Sequence, residues 1–168
     1  YHTELLKTAS LKYQNVRGYL ANAGLDFYAG KSHKFFNAVT NQQFNSPSDS
    51  SLYDFALKRI EPQVVERQKF FMTLVTVSTH YPYYNPDNGK RGPRAAWDYA
   101  FDTLENFMVH LSLVNYFDNG ILIVTGDHRK MRPITEPEIE RYADSAEARI
   151  PLLIIGTGVQ AGKIDQRY

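Results

Sequence analysis

Ile121-Leu122-Ile123-Val124-Thr125-Gly126-Asp127-His128 is an apolar, largely β-branched run that stops at a glycine and hands over to a carboxylate and an imidazole. Continuous apolarity without alternation predicts a strand buried on both faces, as strands of parallel sheets are. Asp127 and His128 are then expected where the strand leaves its sheet. In open α/β sheets this carboxyl edge is where ligands bind. An adjacent carboxylate and imidazole there can offer one oxygen and one nitrogen to a divalent cation such as zinc or manganese. A turn with a capping Asp and a solvated His reads the same way in the dipeptide alone, so the surrounding chain has to decide.

Upstream, Asn119-Gly120 closes the turn into this strand. Before it, Pro93 suits the first position of a helix. Trp97, Phe101, Leu104, Met108 and Leu111 then repeat at helical spacing and predict its buried face. Phe70 to Val77 reads as a second buried strand, ending at Ser78-Thr79-His80 and followed by a loop rich in Tyr, Pro, Asn and Gly from Tyr81 to Gly92. Ser51 with Asp54 resembles a capping box and predicts a helix through about Ile60. Residues 1–48 are the least regular part, with helical pieces suggested by Leu5, Leu6, Leu11, Val16, Tyr19 and Leu20, and a polar loop from Asn41 to Ser50.

Downstream, 136–149 reads as helical and Ile150 to Gly156 as a further strand, with Pro151 at its start or at a sheet edge. Strand, helix, strand, helix, strand argues for an α/β fold with a mostly parallel sheet flanked by helices. The expected organisation is one domain over 1–168, an irregular 1–48 followed by an α/β core over 49–168. If the strands at 70–77 and 121–125 run parallel, His80 and the Asp127-His128 pair leave the sheet at the same edge.

Bulk properties bound the function class. The 168 residues carry a net charge of +1 with both signs scattered, which excludes the clustered basic footprint of a nucleic-acid binder. There is no cysteine, so neither disulfides nor thiolate metal sites enter. No apolar run approaches the ~18 residues that cross a bilayer. The chain starts at Tyr1 rather than methionine and stops at Tyr168 without a polar tail, which points to a piece of a longer protein.

Five segments carry a family resemblance. Thr76-Val77-Ser78-Thr79-His80-Tyr81-Pro82-Tyr83 resembles the His-x-Pro segment of the sulfatase-type branch of the alkaline phosphatase superfamily, most nearly the lipoteichoic acid synthases and related phosphoglycerol transferases. Tyr116 to His128 is similar to that family's Gly-Asp-His strand, and Arg149 to Gly156 to its following strand. Ser51 to Leu57 resembles one of its helices, and Gly162-Lys163-Ile164-Asp165 the approach to a later motif.

The resemblance implies an alkaline phosphatase-like fold, incomplete on its N-terminal side. It implies one divalent metal, commonly manganese with zinc, magnesium or calcium as alternatives, held by a Thr nucleophile, an upstream acid and the Asp-His pair. Asp127 and His128 match the paired metal ligands, and His80 matches the histidine that contacts the substrate head group. In that family the Thr attacks a head-group phosphodiester and passes the group to an acceptor hydroxyl. The substrate would be an anionic lipid or glycan phosphoester. The location would be the extracytoplasmic face of the cell membrane, with anchoring helices outside this chain, itself soluble.

Departures narrow the match. Thr3, Thr8 and Glu4 offer no counterpart to the nucleophile and first acid, so neither role is carried over. Arg129-Lys130-Met131-Arg132 replaces a glycine that often follows the pair, and these cations can serve an anionic group or a solvated loop equally. Two alternatives stay open. One is sulfate-ester or phosphomonoester hydrolysis on the same scaffold, although no Cys/Ser-x-Pro-x-Arg motif is present. The other is a non-catalytic domain binding metal or anionic head groups.

Overall fold

The computed structural model describes residues 1–39, 45–129 and 132–162. Lys130 and Met131, the resemblance at Lys163 to Asp165, and residues 41–44 of the expected polar loop lie outside the described residues. The chain forms two compact units, Tyr1–Asn115 and Tyr116–Tyr168.

The first unit is built on a three-stranded parallel sheet in the order β2-β1-β3, with β1 at His2–Lys7, β2 at Phe27–Ala29 and β3 at Phe70–Val75. β1 pairs with both neighbours, Leu5 lying opposite Tyr28 on one side and Thr73 on the other. The expected helical pieces at Leu5 and Leu6 are therefore corrected to the central strand. Its inward residues Glu4 and Leu6, and Thr8 just past its end, are all buried. A carboxylate and a hydroxyl occupy two of those three positions, so the period-2 apolar signal that marks a strand is missing. Val16, Tyr19 and Leu20 do lie in a helix, α1 at Val16–Asn22.

Helix α2 runs Asp49–Val65, starting earlier and ending later than its sequence signals suggest. Ser48 rather than Ser51 is the cap, its hydroxyl accepting from the Ser51 N–H at 3.3 Å. Leu52, Phe55, Ala56 and Ile60 are buried along one face. Phe55 is the hub of an aromatic cluster. It stacks on Phe35 at 4.6 Å and on His33 at 4.7 Å, and meets Phe36 and Phe27 edge-on.

Helix α3 runs Pro93–Leu113 with Pro93 in its first turn, as expected. Its buried face differs from the expected one. Ala96, Tyr99, Thr103, Phe107 and Leu111 are buried, while Phe101 is 59% exposed and Trp97 lies at the surface. Only Leu111 belongs to both sets. Both stripes have helical spacing, and α2 decides between them. Tyr99 Oη accepts from the Ser50 N–H and donates to Ser50 Oγ, and Phe107 stacks on Tyr53 at 4.6 Å.

In the second unit, β4 (Ile121–Thr125) pairs with β5 (Leu152–Gly156) in an antiparallel ladder from Ile121 opposite Gly156 to Thr125 opposite Leu152. The α/β class with a parallel sheet and helices holds in the first unit, while the separate two-stranded ladder of the second unit is antiparallel. The expected continuous helix over 136–149 is shorter. α4 covers Glu136–Tyr142 and ends where Ala143 takes a φ of 45°, a conformation no helix continues through, and 3-10 turns fill Ala143–Ala148. β4 is not buried on both faces, since Ile121 and Ile123 are more than half exposed and Leu122 and Val124 half-buried. β3 likewise leaves Phe71 exposed. Among the described residues no helix is long and apolar enough to cross a membrane.

Candidate metal and substrate residues at two strand ends

β4 ends at Thr125, whose hydroxyl donates to the Pro151 carbonyl at 3.1 Å and ties the strand's exit to the start of β5. Gly126 follows, then the pair. Asp127 Oδ1 and His128 Nε2 lie 3.6 Å apart, with the Asp127 side chain 90% exposed and that of His128 54%. His128 Nδ1 donates to the Arg129 carbonyl at 2.6 Å. With its proton on Nδ1, the ring keeps the Nε2 lone pair for another partner, the arrangement that orients metal-bound imidazoles.

The donors fit a divalent cation in kind and in separation. Bonds of 2.0–2.2 Å from a tetrahedral ion place an oxygen and a nitrogen about 3.4 Å apart, close to the separation here. They do not complete a coordination sphere. Among the described residues no group of three or more His, Cys, Asp or Glu side chains is arranged to hold a metal ion.

The residues with no assigned role are committed elsewhere. Glu4 is fully buried and holds the Arg59 guanidinium through both oxygens, and also accepts from Gln63 at 3.1 Å and meets His2 at 2.9 Å. Thr3 gives its hydroxyl to Asp26 at 2.9 Å. Thr8 Oγ1 is buried, with no hydrogen-bond partner among the described residues. None stands as an accessible ligand or nucleophile.

Arg129, left open between serving an anionic group and a solvated loop, pairs with Glu138. Its guanidinium donates to Glu138 Oε1 at 2.5 Å and to the Arg132 carbonyl at 2.8 Å. Glu138 also accepts the Thr135 N–H and hydroxyl, each at 2.8 Å, closing the capping box of α4. The Thr135 N–H first, then Arg129, hold the Glu138 carboxyl far down, at about 2. Arg132 remains exposed.

His80 belongs to the first unit, five residues beyond the end of β3 at Val75. Its N–H donates to the Val77 carbonyl at 3.0 Å, and its Nδ1 to the Tyr81 carbonyl at 2.6 Å. The ring is exposed and is locked by the following carbonyl just as that of His128 is. The structure thus brings Asp127 and His128 together, and it places His80 in the other unit. The expected common edge of β3 and β4 rested on one parallel sheet, and the partner of β4 is β5 instead. Sequence reasoning missed Asp49, which is buried and accepts the N–H groups of Val77 and Ser78 at the exit of β3. Nothing local signals it, because the contact closes over 28 residues.

A family model described as Sulfatase matches residues 1–168. Lipoteichoic acid synthase 1 of Bacillus subtilis (strain 168) is 26% identical over 157 residues, covering 77% of this chain and 24% of that protein. Among solved structures, the lipoteichoic acid synthase LtaP from Listeria monocytogenes superposes with a TM-score of 0.80 at 23% identity, over 96% of this chain and 44% of that one. A protein in the alkaline phosphatase superfamily from Vibrio parahaemolyticus gives 0.74 at 24% identity, over 95% and 39%. The phosphoglycerol transferase GacH of Streptococcus pyogenes, in complex with sn-glycerol-1-phosphate, gives 0.65 at 17%, over 96% and 45%. The fold is therefore alkaline phosphatase-like and partial, the chain spanning about a quarter of the curated relative and under half of these solved structures. Matched by the family model from its first residue to its last, the chain belongs to the sulfatase family, whose chemistry is phosphoryl or sulfuryl transfer.

Proposed function

We propose that this chain is part of a metal-dependent phosphoryl-group enzyme that transfers or hydrolyses a phosphodiester head group in the manner of phosphoglycerol transferases. The observation that carries the reading is the Asp127-His128 pair, with its exposed donors 3.6 Å apart and Nε2 freed by the Nδ1 hydrogen bond. Asp127 Oδ1 and His128 Nε2 would hold a divalent cation, manganese by family resemblance. When bound, such an ion lowers the pKa of a hydroxyl and neutralises phosphoryl charge. The Arg129 carbonyl fixes the His128 tautomer. His80, whose Nδ1 hydrogen bond to the Tyr81 carbonyl sets its tautomer, would meet a hydroxyl of a glycerol-like head group. The attacking Thr is supplied by sequence other than these residues.

The substrate is an anionic lipid or glycan phosphoester, and the site works on the extracytoplasmic face of the membrane. Similarity to the synthases and to a transferase holding sn-glycerol-1-phosphate supports this substrate class. The Sulfatase family match supports a second reading, sulfate-ester hydrolysis on the same scaffold. Assays of the full-length protein with manganese, against a glycerophospholipid and an aryl sulfate, separate the two. Asp127→Ala is expected to lower phosphodiester turnover by more than about 100-fold, a larger loss than that of outer-shell partners. Unchanged turnover refutes the metal role. Manganese binding with no turnover of either ester supports a binding domain instead.

A further inference from the structure

We propose that Asp49 is a positioning residue for this site: its carboxylate, fixed at the start of α2, clamps the exit of β3 and so sets the turn that carries His80. The inference rests on the substrate-contacting role given to His80 above. Asp49 is 2% exposed, and its two oxygens are each used on the β3 exit. Oδ1 accepts the Val77 N–H at 2.8 Å and Oδ2 the Ser78 N–H at 3.0 Å. The next contact along the chain is the His80 N–H donating to the Val77 carbonyl at 3.0 Å. Val77 is thereby held from both sides, by Asp49 at its N–H and by His80 at its carbonyl. Ser78, the link between them, is itself 2% exposed.

Asp49 is not needed to cap α2, since Ser48 does that. Its anchor is rigid, because Leu52, Phe55 and Ala56 seat the first turns of the helix in the core. The residue type is also specific. A carboxylate can accept two N–H groups at once, whereas Asn has one acceptor oxygen and turns its NH2 against the second N–H. Burial pushes the Asp49 carboxyl up, against the pull of these backbone donors. A charge-bearing group kept at that cost is explained by the two-point hold it gives on the loop. Holding a reacting side chain in place matters steeply, since displacement by about 1 Å can lower turnover about 100-fold.

The test is a double-mutant cycle in the full-length protein, with manganese and a glycerophospholipid as substrate, between Asp49→Asn and His80→Ala. Asp49→Asn alone is expected to lower kcat/KM by about 10- to 100-fold. In the His80→Ala background it should cost less than about 3-fold, because the side chain it positions is gone. Equal losses in both backgrounds overturn the proposal and leave Asp49 a purely structural residue. No loss from Asp49→Asn alone also overturns it. Should Asp49→Asn fail to fold, Asp49→Glu carries the same cycle, keeping both acceptor oxygens but moving them off the Val77 and Ser78 N–H groups. The parent reading fails separately: if His80→Ala leaves turnover intact, it is the role of His80 that falls.

Discussion

Gly92 sits at the cap of α3 with a φ of 112°, a conformation that L side chains resist, and nothing lies within 4 Å of where its Cβ would stand. The constraint is purely backbone, so Gly92→Ala is expected to destabilise by about 1–2 kcal/mol without a steric clash. For a chain of this size that lowers the melting temperature by about 2–4 °C per kcal/mol, readable by calorimetry. Gly120 is constrained in the opposite way, by space, since a Cβ would lie 2.6 Å from the Tyr116 ring. The residues of the candidate site divide by range. Asp127 and His128 were legible because a strand, a glycine and two donors are consecutive, and their geometry is set by neighbours such as the Arg129 carbonyl. Asp49 was not legible as a site residue. Its partners lie 28 and 29 positions away, and in sequence it is an ordinary acidic residue in the first turn of a helix.

At the scale of elements, α4 shows a local signal that yields a sharp expectation. Glu138 closes the capping box with Thr135 and takes the Arg129 guanidinium, and its carboxyl titrates at about 2 in the folded chain. An unfolded glutamate titrates near 4.3. A lowered folded value contributes stability that is present above about pH 4.3 and is lost as pH falls toward 2. Glu138→Gln keeps an oxygen for the Thr135 N–H but not the charge. The melting temperature of the variant should therefore lie below that of the parent at pH 6 and meet it near pH 2. A gap that persists at pH 2 contradicts the charge-based account. Because Glu138 is at the surface, the gap should also shrink in high salt. Elements whose evidence is long-range behaved differently. β1 was hidden by Glu4 on its inward face, where Arg59 and Gln63 of α2 satisfy the carboxylate. α3 was found, but its buried face was read from its largest apolar residues, whereas α2 selects Tyr99 and Phe107.

At the scale of the molecule, the first unit is organised by one side chain. Phe55 gathers Phe27 of β2, His33, Phe35 and Phe36 onto α2. Phe55→Ala is expected to cost about 3–5 kcal/mol, as truncation of a buried aromatic does, and chemical denaturation would read it as a lower midpoint. A cost under about 1 kcal/mol would mean the cluster does not organise this core. The second unit presents another surface: Ile121 and Ile123 of β4, with Leu152, Leu153 and Ile154 of β5, leave apolar area exposed. Continuous apolarity in β4 predicted burial on both faces, yet within this chain only the Leu122 and Val124 side is partly covered.

By itself the sequence determined the α/β class, strands beginning at Phe70 and Ile121, the helix beginning at Pro93, and the adjacency of Asp127 and His128 at the end of β4. Each of these rests on consecutive residues or on a short period. Tertiary structure alone decided that β1 is the central strand, that β5 runs antiparallel to β4, which face of α3 is buried, that Arg129 serves Glu138, and that Asp49 holds the turn before His80. Those outcomes depend on partners distant along the chain or on strand direction, and the hydrogen-bonding needs of buried polar groups, rather than local periodicity, select them.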